Sequence, residues 1–183
     1  RLYPELSQAL REETGRDNGY RRCGAIELAL DAAEAAALSR RAARAQAAGA
    51  PWRPITAEET GALEPSLTPQ FAGAFLAPEV AQLRNPWHLE ALAAACRRRG
   101  VDLRINTPVA ELLREKRRVT GARTASGEAF FAEKTLITAG LWSSEILEHL
   151  GAGLAMRAAR GQILLFRAGR PPLARVVRSG AGF

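Results

Sequence analysis

The chain has 183 residues, of which 47% are hydrophobic and 25% charged, and its formal net charge is +7. These proportions fit one globular domain or two interleaved lobes and argue against a disordered chain. The densest cationic runs, residues 97–99 and 116–118, fall at a predicted helix end and a predicted turn without interleaved aromatic residues, which argues against nucleic-acid binding.

The cysteines and the apolar runs bear on metal binding, on the cellular compartment and on membrane insertion. Cys23 and Cys96 lie too far apart for metal-ligand spacing, so we predict no metal site and interpret both as thiols in a reducing compartment. No apolar run approaches the roughly 20 residues of a membrane span, and no signal peptide is visible. We therefore predict a cytoplasmic protein without a membrane span. The chain starts at Arg1 without Met and ends in a glycine-rich stretch, so we expect sequence to be missing at both ends.

The first residues predict a helix followed by a strand. Leu2, Leu6 and Leu10 recur at helical spacing and Gly15 is a typical residue after a helix, so residues 2–14 should be helical. Residues 20–30 alternate loosely between apolar and polar side chains, which indicates a strand.

Capping boxes indicate the next two helices. Asp31 and Glu34 stand at the start of an alanine-rich helix that ends near Gly49, and Thr56 and Glu59 start a shorter helix. The apolar residues 72–76 then predict a short strand.

The next helix start combines Asn85, a capping residue, with Pro86 at the first helical position. Gly100 should end this helix, and residues 101–105 are predicted to form a strand.

The middle of the chain predicts a three-stranded meander over residues 109–113, 118–124 and 128–132. Residues 134–138 read as a buried strand, followed by a helix from Ser143, its N-cap, to about residue 150. Residues 161–166 predict a last apolar strand. The expected fold class is therefore mixed α/β, or α+β.

The most informative local feature is Thr138-Ala139-Gly140, where the predicted buried strand meets the helix. A glycine lets the backbone approach a ligand closely, and a helix N-terminus attracts phosphate. A tight strand-to-helix turn without a ligand explains the same residues. No complete Gly-x-Gly-x-x-Gly fingerprint is present: Gly151-Ala152-Gly153 lacks the third glycine and follows a predicted helix, and Gly180-Ala181-Gly182 stands at the end of the sequence.

No residue of the chain is predicted to be catalytic. His88 and His149 have no Ser, Cys or metal-ligand partner at a recognisable spacing, and Ser143 is not in a nucleophile elbow.

The order of several short motifs is more specific than any one of them. Thr107-Pro108-Val109 precedes the meander, and Thr138-Ala139-Gly140 precedes Leu141-Trp142-Ser143. The other motifs stand in the same order: Leu2-Tyr3-Pro4, Gly24, Leu63-Glu64-Pro65, Asn85-Pro86-Trp87-His88-Leu89 and Arg160-Gly161-Gln162-Ile163-Leu164. In this order the chain resembles, over nearly its whole length, about half of an FAD-dependent oxidoreductase of the D-amino-acid oxidase family. Within the family it is most similar to the glycine oxidases, which feed thiazole synthesis in thiamine production.

The resemblance implies a partial FAD/NAD(P)-binding, Rossmann-like lobe interleaved with a substrate lobe built on an antiparallel sheet. The FAD-binding lobe would take residues 1–19 and 84–151. The substrate lobe would take residues 20–83 and, truncated, residues 152–183.

The resemblance also implies FAD as the cofactor. The backbone of Val109 would face the adenine end of FAD. The remaining implied positions lie close to FAD or where the chain crosses back to the substrate lobe: Thr138, Ala139, Gly140, Trp142, Gly161 and Gln162.

The family reaction would transfer hydride from the Cα of a small amino acid or amine to the flavin, hydrolyse the imine and reduce molecular oxygen to peroxide. The family's carboxylate-binding Arg and active-site Tyr would lie beyond Phe183, and its glycine fingerprint before Arg1. We therefore expect this chain alone to be inactive and to bind FAD weakly or not at all. The unpaired edges of a truncated sheet also allow a homo-oligomer.

Other functions stay open. Sarcosine oxidases, D-amino-acid dehydrogenases and glycerol-3-phosphate dehydrogenases share much of the scaffold, and a non-catalytic binding module could use it too. Nucleic-acid binding through the arginines would require steeply salt-dependent retention. The flavoprotein assignment predicts that residues 134–140 form a buried strand leading into a helix, with Val109 close to it.

Overall fold

The computed structural model describes residues 2–180. Its helices are α1 (Leu2–Thr14), α2 (Ala32–Ala47), α3 (Ala57–Leu63), α4 (Asn85–Arg98) and α5 (Ser143–Glu148), and a 3-10 turn at Gly140–Trp142 precedes α5. Its strands are β1 (Ala25–Ala29), β2 (Arg53–Pro54), β3 (Gly73–Ala77), β4 (Val109–Glu115), β5 (Arg118–Thr124), β6 (Ala129–Phe131) and β7 (Val176–Ser179). Residue 1 and residues 181–183, with most of the Gly180-Ala181-Gly182 motif, lie outside the described residues.

Contacts between residues divide the chain into two units. The first comprises Arg1–Asp102 and Phe166–Phe183, and the second comprises Leu103–Leu165. Among residues 2–180, the first unit therefore contains four helices and four strands, and the second contains the predicted meander and α5.

The first unit is built on a mixed four-stranded sheet in the order β2-β3-β1-β7. β1 pairs antiparallel with β3 and parallel with β7. Successive side chains of a strand point to opposite faces. Ile26 of β1 accordingly packs with Ile55 and Ala74 in a buried cluster, while Glu27 binds Arg41 of α2.

Helices α1 and α4 pack against each other in the same unit. Leu10 of α1 and the small side chains of Ala91 and Ala95 of α4 form a buried cluster. Just beyond the end of α4, the Arg99 guanidinium donates hydrogen bonds to the Glu13 carboxylate at 2.7 and 2.9 Å. These hydrogen bonds lower the pKa of Glu13, because they favour its ionised form.

The second unit contains an antiparallel meander in the order β4-β5-β6. Gly121 of β5 lies so close to β6 that a Cβ at this position would be 1.9 Å from the Phe130 carbonyl oxygen. The turn between β5 and β6 is closed by Thr124, whose buried hydroxyl accepts a hydrogen bond from the Glu128 N–H at 3.1 Å. Helix α5 contacts β4.

Two buried carboxylates hold the last described segment in the first unit. Glu64, 2% exposed at the end of α3, accepts hydrogen bonds from the Ala174 N–H at 3.0 Å and the Arg175 guanidinium at 3.2 Å. Glu27, 1% exposed on β1, accepts a hydrogen bond from Arg178 of β7 at 3.0 Å. Each carboxylate thus binds a segment more than 100 residues later in the chain, at separations of 110 and 151 residues.

The predicted caps are partly confirmed. Asp31 caps α2, and Thr56 and Glu59 form a capping box on α3. Asn85 and Ser143 were predicted as N-caps, which is wrong: each is the first residue of its helix, and the preceding residue makes no capping side-chain hydrogen bond.

Three predicted strands are absent from the described residues. Residues 101–105, 134–138 and 161–166 have no regular secondary structure, and apolar side chains within them are exposed, for example Leu136 and Phe166 at 87% each. A strand is stable only when its N–H and C=O groups pair with a neighbour. The two sheets of this structure pair other segments, so the apolar patterns alone do not produce strands here.

The FAD-binding and substrate lobes expected from the resemblance stay predictions. The contacts group α1 and α4 with the four-stranded sheet, whereas the expected lobes separate residues 1–19 and 84–151 from residues 20–83.

Replacing Glu64 by Gln should destabilise the first unit. Glutamine has about the same shape but loses the negative charge that faces Arg175. We expect the free energy of unfolding, measured with urea, to fall by roughly 1–3 kcal/mol. The loss should lie near the lower limit of this range, because water can partly solvate the Arg175 guanidinium once the carboxylate is gone. The control Glu79→Gln removes an exposed ion pair with Arg22 and should cost less than about 1 kcal/mol. Equal losses would show that Glu64 does not hold the last segment.

Replacing Gly121 by Ala should disrupt the meander, because the new methyl group would overlap the Phe130 carbonyl oxygen. We expect a loss of roughly 1–3 kcal/mol or more in thermal or urea unfolding. Gly161→Ala is the matched control, since no atom lies within 4 Å of its Cβ position, and it should change stability by less than about 0.5 kcal/mol. Equal stability of the Gly121→Ala and Gly161→Ala variants would contradict the close pairing of β5 with β6.

Candidate functional site

The Thr138-Ala139-Gly140 segment forms a turn into a helix, but not from a strand. Thr138 and Ala139 have no regular secondary structure. Gly140 begins the 3-10 turn with φ 58, and the Trp142 N–H donates a hydrogen bond to the Ala139 carbonyl at 3.2 Å. The expectation of a buried strand leading directly into a helix is therefore wrong, while the tight turn and the helix after it are present.

The backbone at this turn is open to a ligand. Gly140 has a left-handed φ that side chains rarely adopt, and no atom lies within 4 Å of the position that a Cβ would take. Trp142 is 66% exposed. The helix that follows, α5, has only six residues, so its contribution to anion binding is small and the accessible backbone is the main feature of the turn.

Val109 lies in the same unit as this turn. It is the first residue of β4, is 42% exposed, and pairs with Thr124 of β5. β4 is an edge strand of the meander, so one of its sides has no partner strand within the described sheet. Because α5 contacts β4 and directly follows the Gly140 turn, β4 and the turn are parts of one packed unit.

Gly161 and Gln162 lie in an exposed segment without regular secondary structure. No atom lies within 4 Å of the Cβ position of Gly161. The structure therefore leaves space around these two residues and does not fix them against the Gly140 turn. The apolar residues after them, Ile163 and Leu164, are 83% and 78% exposed.

The side chain of His88 lies among residues that link two helices. The Nδ1 atom of His88 lies 3.1 Å from the Asn18 amide nitrogen, and its ring lies 5.9 Å from that of Tyr3. Asn18 is 1% exposed and also donates to the Ser7 hydroxyl at 2.9 Å. His88 thus helps to connect α1 with α4. His149 directly follows α5.

A cleft in the first unit was not anticipated from the sequence. It has a volume of about 820 Å³, and its lining includes Tyr3, Tyr20, Gln82 and an ion pair between Arg22 and Glu79 at 2.8 Å. These residues come from separate segments, so no local pattern indicates them. Residues 2–180 contain no group of three or more side chains suited to hold a metal ion. No helix in the same range is long and apolar enough to cross a membrane.

The fold and the motif order together define the class of protein. The family model described as FAD dependent oxidoreductase (DAO) matches residues 1–181. The chain therefore belongs to this family, whose cofactor is FAD, and the resemblance seen in the sequence is confirmed. The family match rests on the whole chain and does not depend on residues 134–138 forming a strand.

Within the family, the chain is similar to glycine oxidases. It is 34% identical over 178 residues to glycine oxidase from Pseudomonas aeruginosa, covering 96% of this chain and 47% of the relative. It is 36% identical over 170 residues to glycine oxidase from Pseudomonas putida, covering 91% and 44%. The crystal structure of glycine oxidase from Geobacillus kaustophilus matches with a TM-score of 0.82 at 29% identity, covering 99% of this chain and 48% of that chain. The chain spans about half the length of these relatives, and the mixed α/β fold is confirmed.

The exposed segments 134–138 and 161–166 should exchange their amide hydrogens rapidly. Their backbone groups are not paired in either sheet, whereas the amides of β1 lie between β3 and β7 and should be protected. Hydrogen exchange followed by mass spectrometry on the 183-residue chain measures both. Slow exchange over 134–138, comparable to that of β1, would show a strand that the structure lacks.

Proposed function

We propose that this chain is the part of an FAD-dependent oxidase that contacts the adenine end of FAD and carries part of the substrate lobe. The proposed reaction is the oxidative deamination of glycine or another small amino acid or amine, with molecular oxygen as the electron acceptor. The observation that carries the proposal is the match to glycine oxidases over more than 90% of the chain.

The geometry of the second unit fits the proposed contact with FAD. Gly140 leaves the turn backbone accessible, and Val109 starts an edge strand of the sheet that α5 packs against. Accessible backbone N–H and C=O groups can bind a dinucleotide without any specific side chain. We assign Thr138, Ala139 and Trp142 to the same contact because they belong to this turn.

We assign Gly161 and Gln162 to the passage of the chain between the two lobes. Gly161 and Gln162 lie shortly before the point where the chain returns to the first unit at Phe166, which agrees with a crossing between lobes. When bound, FAD supplies the two-electron oxidation of the substrate. The residues of this chain would bind and orient the cofactor and the substrate, and we assign none of them a proton-transfer role.

Glycine is proposed as the substrate because the three relatives described above are named glycine oxidases. Sarcosine, D-amino acids and glycerol 3-phosphate are the alternatives that the scaffold allows. A role in supplying thiazole synthesis depends on glycine being the substrate and stays a prediction, as do the cytoplasmic location and a homo-oligomer.

The full product of the gene that encodes this chain should show a flavin spectrum and consume oxygen with glycine. Oxygen uptake with glycine, sarcosine, D-alanine and glycerol 3-phosphate, at equal concentration, ranks the substrates. A preference for glycerol 3-phosphate, or bound FAD without any oxidation, would overturn the proposal and favour a dehydrogenase or a binding module. The 183-residue chain alone should lose FAD on gel filtration, because it has no glycine fingerprint for the diphosphate.

A matched pair of glycine variants tests the cofactor contact in the same full product. Gly140→Ala and Gly151→Ala impose similar backbone strain, since both glycines have positive φ, 58 and 69, and open space around them. Only Gly140→Ala should weaken FAD binding, by about tenfold or more if the methyl group displaces the cofactor. Equal FAD affinity in both variants would show that the Gly140 turn does not contact FAD.

A further inference from the structure

The hairpin between β4 and β5 concentrates positive charge. Arg114, Lys116, Arg117 and Arg118 lie at its tip, and we call these four residues the cationic hairpin. They line a small pocket of about 240 Å³ together with Val119 and Leu150. The pocket therefore has cationic sides and an apolar wall, and all of its residues belong to the second unit.

Two arginines of the second unit outside the cationic hairpin lie beside a carboxylate. Arg123 binds Glu111 at 2.7 Å, and Arg104 lies 3.7 Å from Glu128. Within the part of the chain that the structure describes, no ion pair involves any of the four hairpin cations. Glu115 is the one acidic residue between them in sequence. Four cations and one carboxylate leave the tip strongly positive.

The backbone at the tip gives a second observation. Lys116 has φ 54, a left-handed conformation in which glycine or asparagine is favoured and a long side chain is unusual. Two-residue hairpin turns usually place Gly or Asn at such positions. A lysine here adds a fourth cation at the expense of turn stability, and strained residues of this kind concentrate at binding sites.

We propose that the cationic hairpin binds the diphosphate group of a soluble small molecule. Arginine guanidinium groups bind phosphate oxygens in a bidentate manner, and lysine adds a mobile point charge. A diphosphate carries several negative charges in a group small enough for the pocket, and Val119 and Leu150 can contact an apolar part of the ligand. A single carboxylate would neutralise only one of the four cations. This site is independent of the proposed oxidase reaction.

The test uses inorganic pyrophosphate as the probe, titrated into the 183-residue chain at low ionic strength and followed by calorimetry and by NMR of the hairpin amides. Lys116→Gly removes one cation and relieves the turn, so it should raise the melting temperature and weaken binding by at least about threefold. Asn106→Gly is the matched control, since Asn106 also has φ 54 but carries no charge. It should raise the melting temperature without changing pyrophosphate affinity.

A second pair of variants distinguishes binding at the cationic hairpin from a general effect of the protein's positive charge. Arg118→Ala should weaken pyrophosphate binding by about tenfold, because a charge-assisted hydrogen bond is lost. Arg40→Ala removes an exposed cation of α2 and should leave the affinity unchanged. Equal losses in both variants, or no saturable binding of pyrophosphate, would overturn the proposal. Binding only to vesicles that contain phosphatidylglycerol, or only to DNA, with no response to pyrophosphate, would overturn it as well.

Discussion

Two buried carboxylates determine how the first unit is put together. Glu27 and Glu64 are almost fully buried, and each binds an arginine of the segment around β7. A buried carboxylate is costly unless it is paired and hydrogen bonded, so these contacts bring a distant segment to β1 and to the end of α3. They place β7 beside β1 in parallel register, with Glu27 opposite Arg178. Because β7 pairs parallel with β1, the sheet is mixed and not antiparallel throughout.

Local chemistry made most of the helices predictable. The side chains of Asp31 and Thr56 bond to backbone N–H groups a few residues away, and glycines with positive φ follow α1 and α4. Such contacts are complete within one turn of a helix, so the sequence contains all of their partners. The meander was predictable for a similar reason, since adjacent strands are joined by short turns.

The three predicted strands that the structure lacks would each have needed a neighbouring strand, and a local sequence pattern does not show whether one is present. Residues 134–138 include Leu136 and three β-branched residues, yet they pair with no strand in this structure, and all of them except the half-buried Ile137 are exposed. The resemblance to flavoproteins predicts a buried strand at this position, and the structure has none there. The family assignment holds because the family match covers residues 1–181, whereas the contact of Val109 and Gly140 with FAD stays a prediction. The cationic run at residues 116–118 was interpreted as a solvated turn, because sequence does not show that Lys116 is left-handed or that Leu150 lines the same pocket.

The parallel pairing of β7 with β1 also affects how the chain folds during its synthesis. Glu27 leaves the ribosome 151 residues before Arg178, its partner. Until then β1 has β3 on one side and an open edge on the other, and its buried carboxylate lacks one of its two arginines. Contacts of such long sequence separation form slowly, and open edges of this kind attract other chains. We therefore expect the nascent chain to depend on chaperones until β7 has been made.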